Sequence, residues 1–341
     1  MKINNREIGY DKEPYIIAEV SCNHCGSIDV AKKLIKDCSD QGADAVKIQA
    51  YDPHSLTIDG IVIEGGKWDG LTYFELYEKT HTPLEWIPSL FEFAREHKIT
   101  LLSSVFCERG LHILEACGCP AYKIASFEAM DYELLKKVGA TGKPVIMSLG
   151  ALDDGEALES AVLLQGAGAE SVALLHCVSE YPARHPNLKR IGTLKNWLHP
   201  TTLVGFSDHG SSHNVSGGQL SVAAGACILE RHVHLHGMAS EDSEWSMSTL
   251  AFGYWVDCAK DAFRKMNEAP CKPDAPKRFS RSIYCVKDVK AGERFTRENV
   301  RVIRPGHGLH PRMFPIVLDT VAQADIVKGE PITTENAKLF S

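Results

Sequence analysis

Eight short apolar runs, each followed by a helical pattern, predict an α/β chain: a closed (β/α)8 (TIM) barrel followed by a small β-rich domain. Three observations support this. The alternation of apolar runs and amphipathic patterns persists from residue 14 to about residue 265. Most of the runs are continuously apolar, as parallel strands covered on both faces must be. Beyond Met266 the periodicity stops, and NEAPCKPDAPKR (267–278) has the proline and charge content of a linker. A length of 341 residues accommodates a barrel of roughly 250 residues plus a smaller partner. The expected division is therefore 1–266 for the barrel, 267–278 for the linker and 279–341 for the small domain.

In chain order, the strands are expected at 15–20, 45–49, 100–104, 121–126, 144–149, 171–177, 202–206 and 226–232. Ser27 is placed to cap a helix whose apolar side is Val30, Leu34, Ile35 and Cys38, with Gly42 as its left-handed stop. Thr82-Pro83-Leu84-Glu85 has the form of a capping box opening a helix with Leu90, Phe91 and Phe93 on its apolar side. Asp131 is placed to cap a helix through Leu134, Leu135 and Val138. The connection 51–82 exceeds an ordinary βα loop and is expected to act as a lid or substrate loop. In the last segment, 282–286 and 300–303 are β-like and Lys290-Ala291-Gly292 is a turn signal.

Composition excludes several classes of function. The net charge is −7, and no Lys/Arg run marks a nucleic-acid footprint. No stretch approaches the apolar length of a membrane span. The polar N-terminus, MKINNREIGYDKEPY, lacks the apolar core of a signal peptide. The 11 cysteines have no disulfide-framework spacing, so they read as reduced thiols and the cytoplasm is the expected compartment.

Chemistry in such a barrel gathers where the strands end and the βα loops converge. The polar residues expected there are Glu19, Asn23 and His24; Lys47 and Gln49; Ser103 and Ser104; Lys123, Ser126 and Glu128; Ser148; Ser179 and Tyr181; Ser207, Asp208 and His209; and Glu230 and His232. Two lysines among hydroxyls suit a ligand bearing both phosphate and carboxylate. A lysine inside a buried strand pattern is hard to explain structurally, because an unpaired buried ammonium costs several kcal/mol. His209 and His232, from neighbouring strand ends, form a candidate divalent-metal pair. His232, His234 and His236 alternate, so an extended chain would set them on one face, with His232 nearest the strand end. Glu19 and Glu128 are candidates for acid/base work or for orienting hydroxyls. Cys22-Asn23-His24-Cys25 is a CxxC without a second half, and reads as a bystander.

These residues sit in IIAEVSCNHCGS (16–27), GADAVKIQ (42–49), AYKIASFE (121–128), TGKPVIMS (141–148), LLHCVSEYP (174–182), GFSDH (205–209) and ILERH (228–232). Together, and in this order, they resemble the sialic acid synthase family over nearly the whole chain. The segment SIYCVKDVKAGERFTRENVRVIRPGHGLHP (282–311) is similar to the antifreeze-like (SAF) domain of that family. Ser179 and WDGLTYFELYEKTHTPLEW (68–86) most resemble the family's pseudaminic acid branch.

The resemblance implies a synthase that condenses phosphoenolpyruvate with an amino sugar, here 2,4-diacetamido-2,4,6-trideoxy-L-altrose. Lys47, Ser104, Lys123, Ser126, Ser148, Ser179 and Tyr181 would hold phosphoenolpyruvate. His209 and His232 would bind a divalent cation: manganese, with magnesium or cobalt as substitutes. Glu19, Glu128 and Asp242 would contact or activate the sugar, with the roles of Glu19 and Glu128 left unassigned. Arg304 would reach the barrel of a partner subunit in a domain-swapped homodimer. Legionaminic and N-acetylneuraminic acid synthases share this site, and a non-catalytic sugar-binding relative is a further alternative. A metal-dependent hydrolase on the same barrel would want His-x-His after the first strand, where this chain has Cys22-x-His24. The chain departs from the family at NHCG, Val105, Ser148-Leu149-Gly150, His234-Leu235-His236 and RPGHG.

Overall fold

The structure, a computed structural model, describes residues 1–199, 201–268 and 277–339. It divides into two compact units, Met1–Glu268 and Ala269–Ser341. Most of the expected linker, 269–276, lies outside the described residues.

The first unit opens with a hairpin of β1 (Lys2–Ile3) and β2 (Arg6–Glu7), which the sequence reading did not include. Eight parallel strands follow: β3 (Tyr15–Glu19), β4 (Ala45–Ala50), β5 (Thr100–Val105), β6 (Tyr122–Ile124), β7 (Val145–Ser148), β8 (Val172–His176), β9 (Leu203–Asp208) and β10 (Ile228–His234). Each pairs with the next, and β10 pairs with both β9 and β3, so the sheet closes into a barrel. A short strand, β11 (Met247–Ser248), adds to the end of β10.

The strands look continuously apolar because their two faces bury apolar atoms in different places. Outward residues such as Ile16, Val46, Ile124 and Leu229 pack beneath the helices in the main core. Inward residues Ile17, Ala45, Leu102, Ile146, Leu175 and Ile228 fill the lower barrel, and Ile3 of the hairpin packs with them. Two residues further along several strands, the inward positions become polar: Glu19, Lys47, Ser104, Ser148 and Glu230. The period-two alternation thus turns one strand from a plug at its start into a ligand platform at its end. Inside the barrel there is no room to spare. A Cβ on Gly205 would lie 2.4 Å from the carbonyl oxygen of Ile228 and 2.5 Å from Leu175.

Of the three helix starts expected from the sequence, two form as expected. Ser27 caps Ile28–Asp40 by accepting from the Val30 amide, and Gly42 follows at φ +85°. Asp131 caps Tyr132–Gly139 by accepting from the Leu134 amide. The expected capping box at Thr82 does not form. Residues Leu84–Trp86 make a short 3-10 turn before the helix Ile87–Glu96, and the Thr82 hydroxyl is buried without a partner. Pro88, in the first turn of that helix, sets its start four residues later than Pro83 would. Genuine capping boxes occur at Thr72/Glu75 and Asp153/Glu156.

The second unit pairs β12 (Ser282–Cys285) antiparallel with β13 (Val300–Ile303). Its core is built from Ile283, Phe295, Val300, Val317 and Ile332. The Lys290-Ala291-Gly292 turn closes with the Glu293 amide on the Lys290 carbonyl, with Gly292 at φ +83°.

Candidate active site

The register of the barrel brings charged residues from separate strands to one level. His232 lies beside Glu19, Glu19 beside Lys47, and Ser104 beside Lys123 on successive strand pairs. Lys47, Lys123, Glu19 and Glu230 are each no more than 3 % exposed. Burial that deep requires pairing, and the pairs are present. The Lys47 ammonium lies 2.6 Å from Glu19 and 3.6 Å from Glu230, and donates to the Ser104 hydroxyl at 2.8 Å. Gln49 donates to Glu19 from the other side at 2.8 Å.

The two lysines are held differently. Burial alone would push Lys47 down, but Glu19 and Glu230 more than offset it and its affinity for its proton rises. Lys123 is pushed down by burial, with Lys47 adding repulsion, against the opposing pull of Glu230. It donates to the Ser148 hydroxyl at 2.6 Å and to the Ile124 carbonyl at 3.0 Å. Burial disfavours the Glu230 charge, yet Lys47 and Lys123 hold its carboxyl low. Glu230 was seen at a strand end in the sequence but given no role. Its partner Lys47 stands two strands away across the closure of the barrel, a relation that no local pattern encodes.

The remaining expected residues surround this cluster. Ser126 accepts from the Gly150 amide at 2.9 Å and touches the Cys177 thiol at 3.3 Å. The Ser179 hydroxyl is buried without a partner. Tyr181 stacks on His209 at 4.4 Å between ring centroids. Glu128 lies in the turn after β6, where burial pushes its carboxyl up to about 7, and one of its oxygens has no partner. Val105 and Leu149, two departures from the family pattern, are fully buried.

His209 and His232 are 5.5 Å apart between ring centroids. The Nδ1 of His209 faces the Val178 carbonyl at 2.9 Å, and a carbonyl only accepts, so Nδ1 carries the proton and Nε2 the lone pair. Burial, reinforced by His232, pushes His209 down to about 3, which leaves the neutral, metal-binding form. The Nδ1 of His232 lies 3.5 Å from Asp242, the carboxylate–histidine arrangement that orients imidazole ligands. No cluster of three or more His, Cys, Asp or Glu placed for a metal occurs among the described residues. Two adjacent imidazoles, one with its Nε2 lone pair free, are donors that would suit a divalent cation whose other ligands came from substrate and water.

The alternation expected of the three histidines holds only as far as the strand runs, which leaves His236 out of it. The strand ends at His234, whose ring turns to the Leu235 and Met238 carbonyls, and His236 lies exposed in the following turn. Arg304, in the second unit, is exposed.

Asn23, expected at a strand end without a role, and Arg231, which no sequence signal singles out, hold the loops in place. Asn23, buried, donates to the Val233 carbonyl at 2.7 Å and to Ser246 at 2.9 Å, and accepts from Ser240 at 2.6 Å. It thereby pins the loop that carries Asp242. Arg231, fully buried, pairs with Asp208 at 2.8 Å and donates to the carbonyls of Asp208, Gly210 and Ser211. It thereby fastens the segment that carries His209.

A family model described as the NeuB family matches residues 34–269, and one for the SAF domain matches 280–337. The chain belongs to the NeuB family. It is 36% identical to a pseudaminic acid synthase of Campylobacter jejuni, over 97% of this chain and 98% of that one. It is 33% identical to a pseudaminic acid synthase of Helicobacter pylori, over 95% of this chain and 97% of that one. Among solved structures, a sialic acid synthetase of Leptospira borgpetersenii in complex with citrate superposes with a TM-score of 0.71 at 26% identity. That match covers 81% of this chain and 92% of the other. This NeuB-family protein is an enzyme of the synthase class. No helix among its described residues is long and apolar enough to cross a membrane.

Proposed function

We propose that this enzyme makes a nonulosonic acid, condensing phosphoenolpyruvate with 2,4-diacetamido-2,4,6-trideoxy-L-altrose and water to give pseudaminic acid and phosphate. The observation that carries the reading is the buried pair Lys47 and Lys123, flanked by Ser104 and Ser148 at one end of a closed barrel. The likeness to pseudaminic acid synthases along nearly the whole chain supports the choice of sugar.

Charge balance supports the remaining partners. Lys47 and Lys123 are offset by Glu19 and Glu230, so the cluster has no net charge before substrate enters. A phosphate monoester carries about −2 at neutral pH and a carboxylate one more. His209 and His232 would hold a divalent cation there, which with Arg304 from a partner subunit would supply the missing three positive charges. Manganese is the cation of choice, and a homodimer in the cytoplasm is the expected form.

Lys47 and Lys123 with Ser104, Ser126, Ser148 and Ser179 fix the phosphate and carboxylate, so much of the catalysis is positioning. The cation, when bound, polarises the aldehyde oxygen of the open-chain sugar. C3 of the enol attacks the aldehyde carbon, and the aldehyde oxygen takes a proton. Water adds at C2 and loses one proton; the new C2 hydroxyl then gives its remaining proton to the departing phosphate as the bond from C2 to the bridging phosphate oxygen breaks, leaving a ketone and inorganic phosphate. Glu19, clamped by Lys47 and Gln49, serves as fixed negative charge near the cation developing at C2. Glu128, poised near 7, carries a proton. Asp242 orients His232 and meets the sugar.

Phosphoenolpyruvate labelled with ¹⁸O in the bridging C2–O–P position tests the bond cleaved. The reading expects the label in the released phosphate. Label retained in the sugar acid would show P–O cleavage and overturn it.

A further inference from the structure

Asn23 stands in the turn after β3, and it is only 1 % exposed. Its side chain is fully engaged. One amide hydrogen goes to the Val233 carbonyl at 2.7 Å and the other to the Ser246 hydroxyl at 2.9 Å, while its oxygen accepts from the Ser240 hydroxyl at 2.6 Å. The Val233 carbonyl can only accept, which fixes the orientation of the amide. These three partners are far from Asn23 in the chain but close to one another. Val233 follows His232, and Ser240 and Ser246 lie on either side of Asp242. One side chain from the first βα loop thus holds the backbone next to His232 and brackets the carboxylate that faces it.

The contact between His232 and Asp242 depends on such a brace. The Nδ1 of His232 is buried and has no hydrogen-bond partner among the described residues, and the Asp242 carboxylate stands 3.5 Å from it. Asp242 lies between β10 and β11 in a segment without strand or helix. The bonds within that segment are local turns: the Trp245 and Ser246 amides on the Asp242 carbonyl, and the Ser243 amide on the Ser240 carbonyl. Its outward ties from Glu241 run to Lys67 and Lys79, both exposed, and exposed ion pairs contribute little. The Asn23 bonds are buried, where an unmade hydrogen bond is costly, so they set where the segment sits.

We propose that Asn23 is a positioning residue for His232: by holding Val233 and both flanks of Asp242, it keeps the Asp242 carboxylate on the Nδ1 of His232. A carboxylate only accepts, so this contact keeps the ring proton on Nδ1 and leaves the Nε2 lone pair free for a cation. The consequence for manganese rests on the metal reading above, whereas the ring contact does not.

The test uses the full-length enzyme and four variants. Asn23→Ala removes the amide, and Asn23→Asp keeps its shape without its two donors. Ser240→Ala removes one bond at a half-buried position, and Asp242→Asn removes the carboxylate. Melting curves check the fold. Nitrogen-15 spectra of the histidine rings, assigned with His232→Gln, report the tautomers without metal, and calorimetry with Mn²⁺ alone reports affinity. We expect wild-type His232 in the Nδ1–H form and a mixture of tautomers in both Asn23 variants. His209 should keep its Nδ1–H form throughout, because its partner is the Val178 carbonyl. A general loosening of the fold would move both rings. Affinity for Mn²⁺ should fall roughly tenfold to a hundredfold in Asn23→Ala, the usual effect of losing support behind a ligand. Added to Asp242→Asn, the same change should cost less than about a further twofold, because the two residues act in series. An unchanged His232 ring in the Asn23 variants, or full additivity with Asp242→Asn, overturns the proposal. If the Asn23 variants do not fold, the His232 ring in Ser240→Ala decides in the same way. If wild type binds no Mn²⁺ but the His232 ring changes in the variants, the metal reading fails and the positioning stands. If Mn²⁺ binds equally to wild type and to Asn23 variants with an unchanged ring, the positioning fails and the metal reading stands.

Discussion

The lysines show how far a single residue can be read. Lys47 and Lys123 stood out in the sequence because each interrupts an otherwise apolar strand, and both are buried in the barrel. The sequence could not show that they differ. Lys47 neutralises two carboxylates, so Lys47→Met strands Glu19 and Glu230 and should cost about 3–5 kcal/mol of stability. Lys123 hydrogen-bonds only a hydroxyl and a carbonyl and feels Glu230 at longer range, so Lys123→Met should cost clearly less stability than Lys47→Met. The same change should weaken phosphoenolpyruvate binding about a hundredfold, the loss of one buried charge-assisted contact. Urea melts and calorimetry separate the two outcomes. Glu128 carries a pH signature. Its carboxyl holds a proton up to about 7 in the folded protein, against 4.5 for a free side chain. Below pH 4.5 both states are protonated alike. Between pH 4.5 and 7 the unfolded chain sheds the proton first, so stability falls as pH rises, by up to about 3 kcal/mol. Glu128→Gln escapes that loss. It should be more stable than wild type at pH 8 and no more stable at pH 4, and an equal advantage at both would contradict the assignment.

Among the elements, those with local causes were legible and those with distant causes were not. The strands were found because inward and outward faces are both buried. The caps at Ser27 and Asp131 were found because the capping oxygen and the amide it accepts from are three residues apart. The hairpin β1–β2 was missed because strands of two residues carry no periodicity. The strand β9 was placed too short because Asp208 reads as a loop residue. Its position in the ladder opposite Arg231, on the neighbouring strand, keeps it in the sheet. That pair makes a prediction at this scale. Arg231→Met leaves a buried carboxylate alone and three carbonyls without their donor, which should cost about 3–5 kcal/mol. A loss below about 1 kcal/mol in urea would show that the loop carrying His209 is held by other means.

For the whole molecule, a closed barrel gathers groups from strands far apart in sequence, and the reaction depends on their being gathered. The ends of the strands could be located from the sequence, but not the contacts across the barrel. Lys47 with Glu230, and His232 with Asp242, are visible only once β10 closes on β3. The histidine pair leads to a prediction for metal removal. The His209 imidazole is neutral and satisfied at Nδ1 without a cation, so chelation should abolish turnover yet leave the far-ultraviolet circular dichroism unchanged. Loss of the fold on chelation would make the metal structural. The most direct measurement of the central claim is release of inorganic phosphate from phosphoenolpyruvate and Mn²⁺ with each of three sugars. These are 2,4-diacetamido-2,4,6-trideoxy-L-altrose, its legionaminic counterpart 2,4-diacetamido-2,4,6-trideoxymannose, and N-acetylmannosamine. The account predicts sugar-dependent release that is fastest with the altrose derivative and abolished by EDTA. Release at the same rate without sugar, or none with any sugar from a folded protein that binds phosphoenolpyruvate, would contradict it.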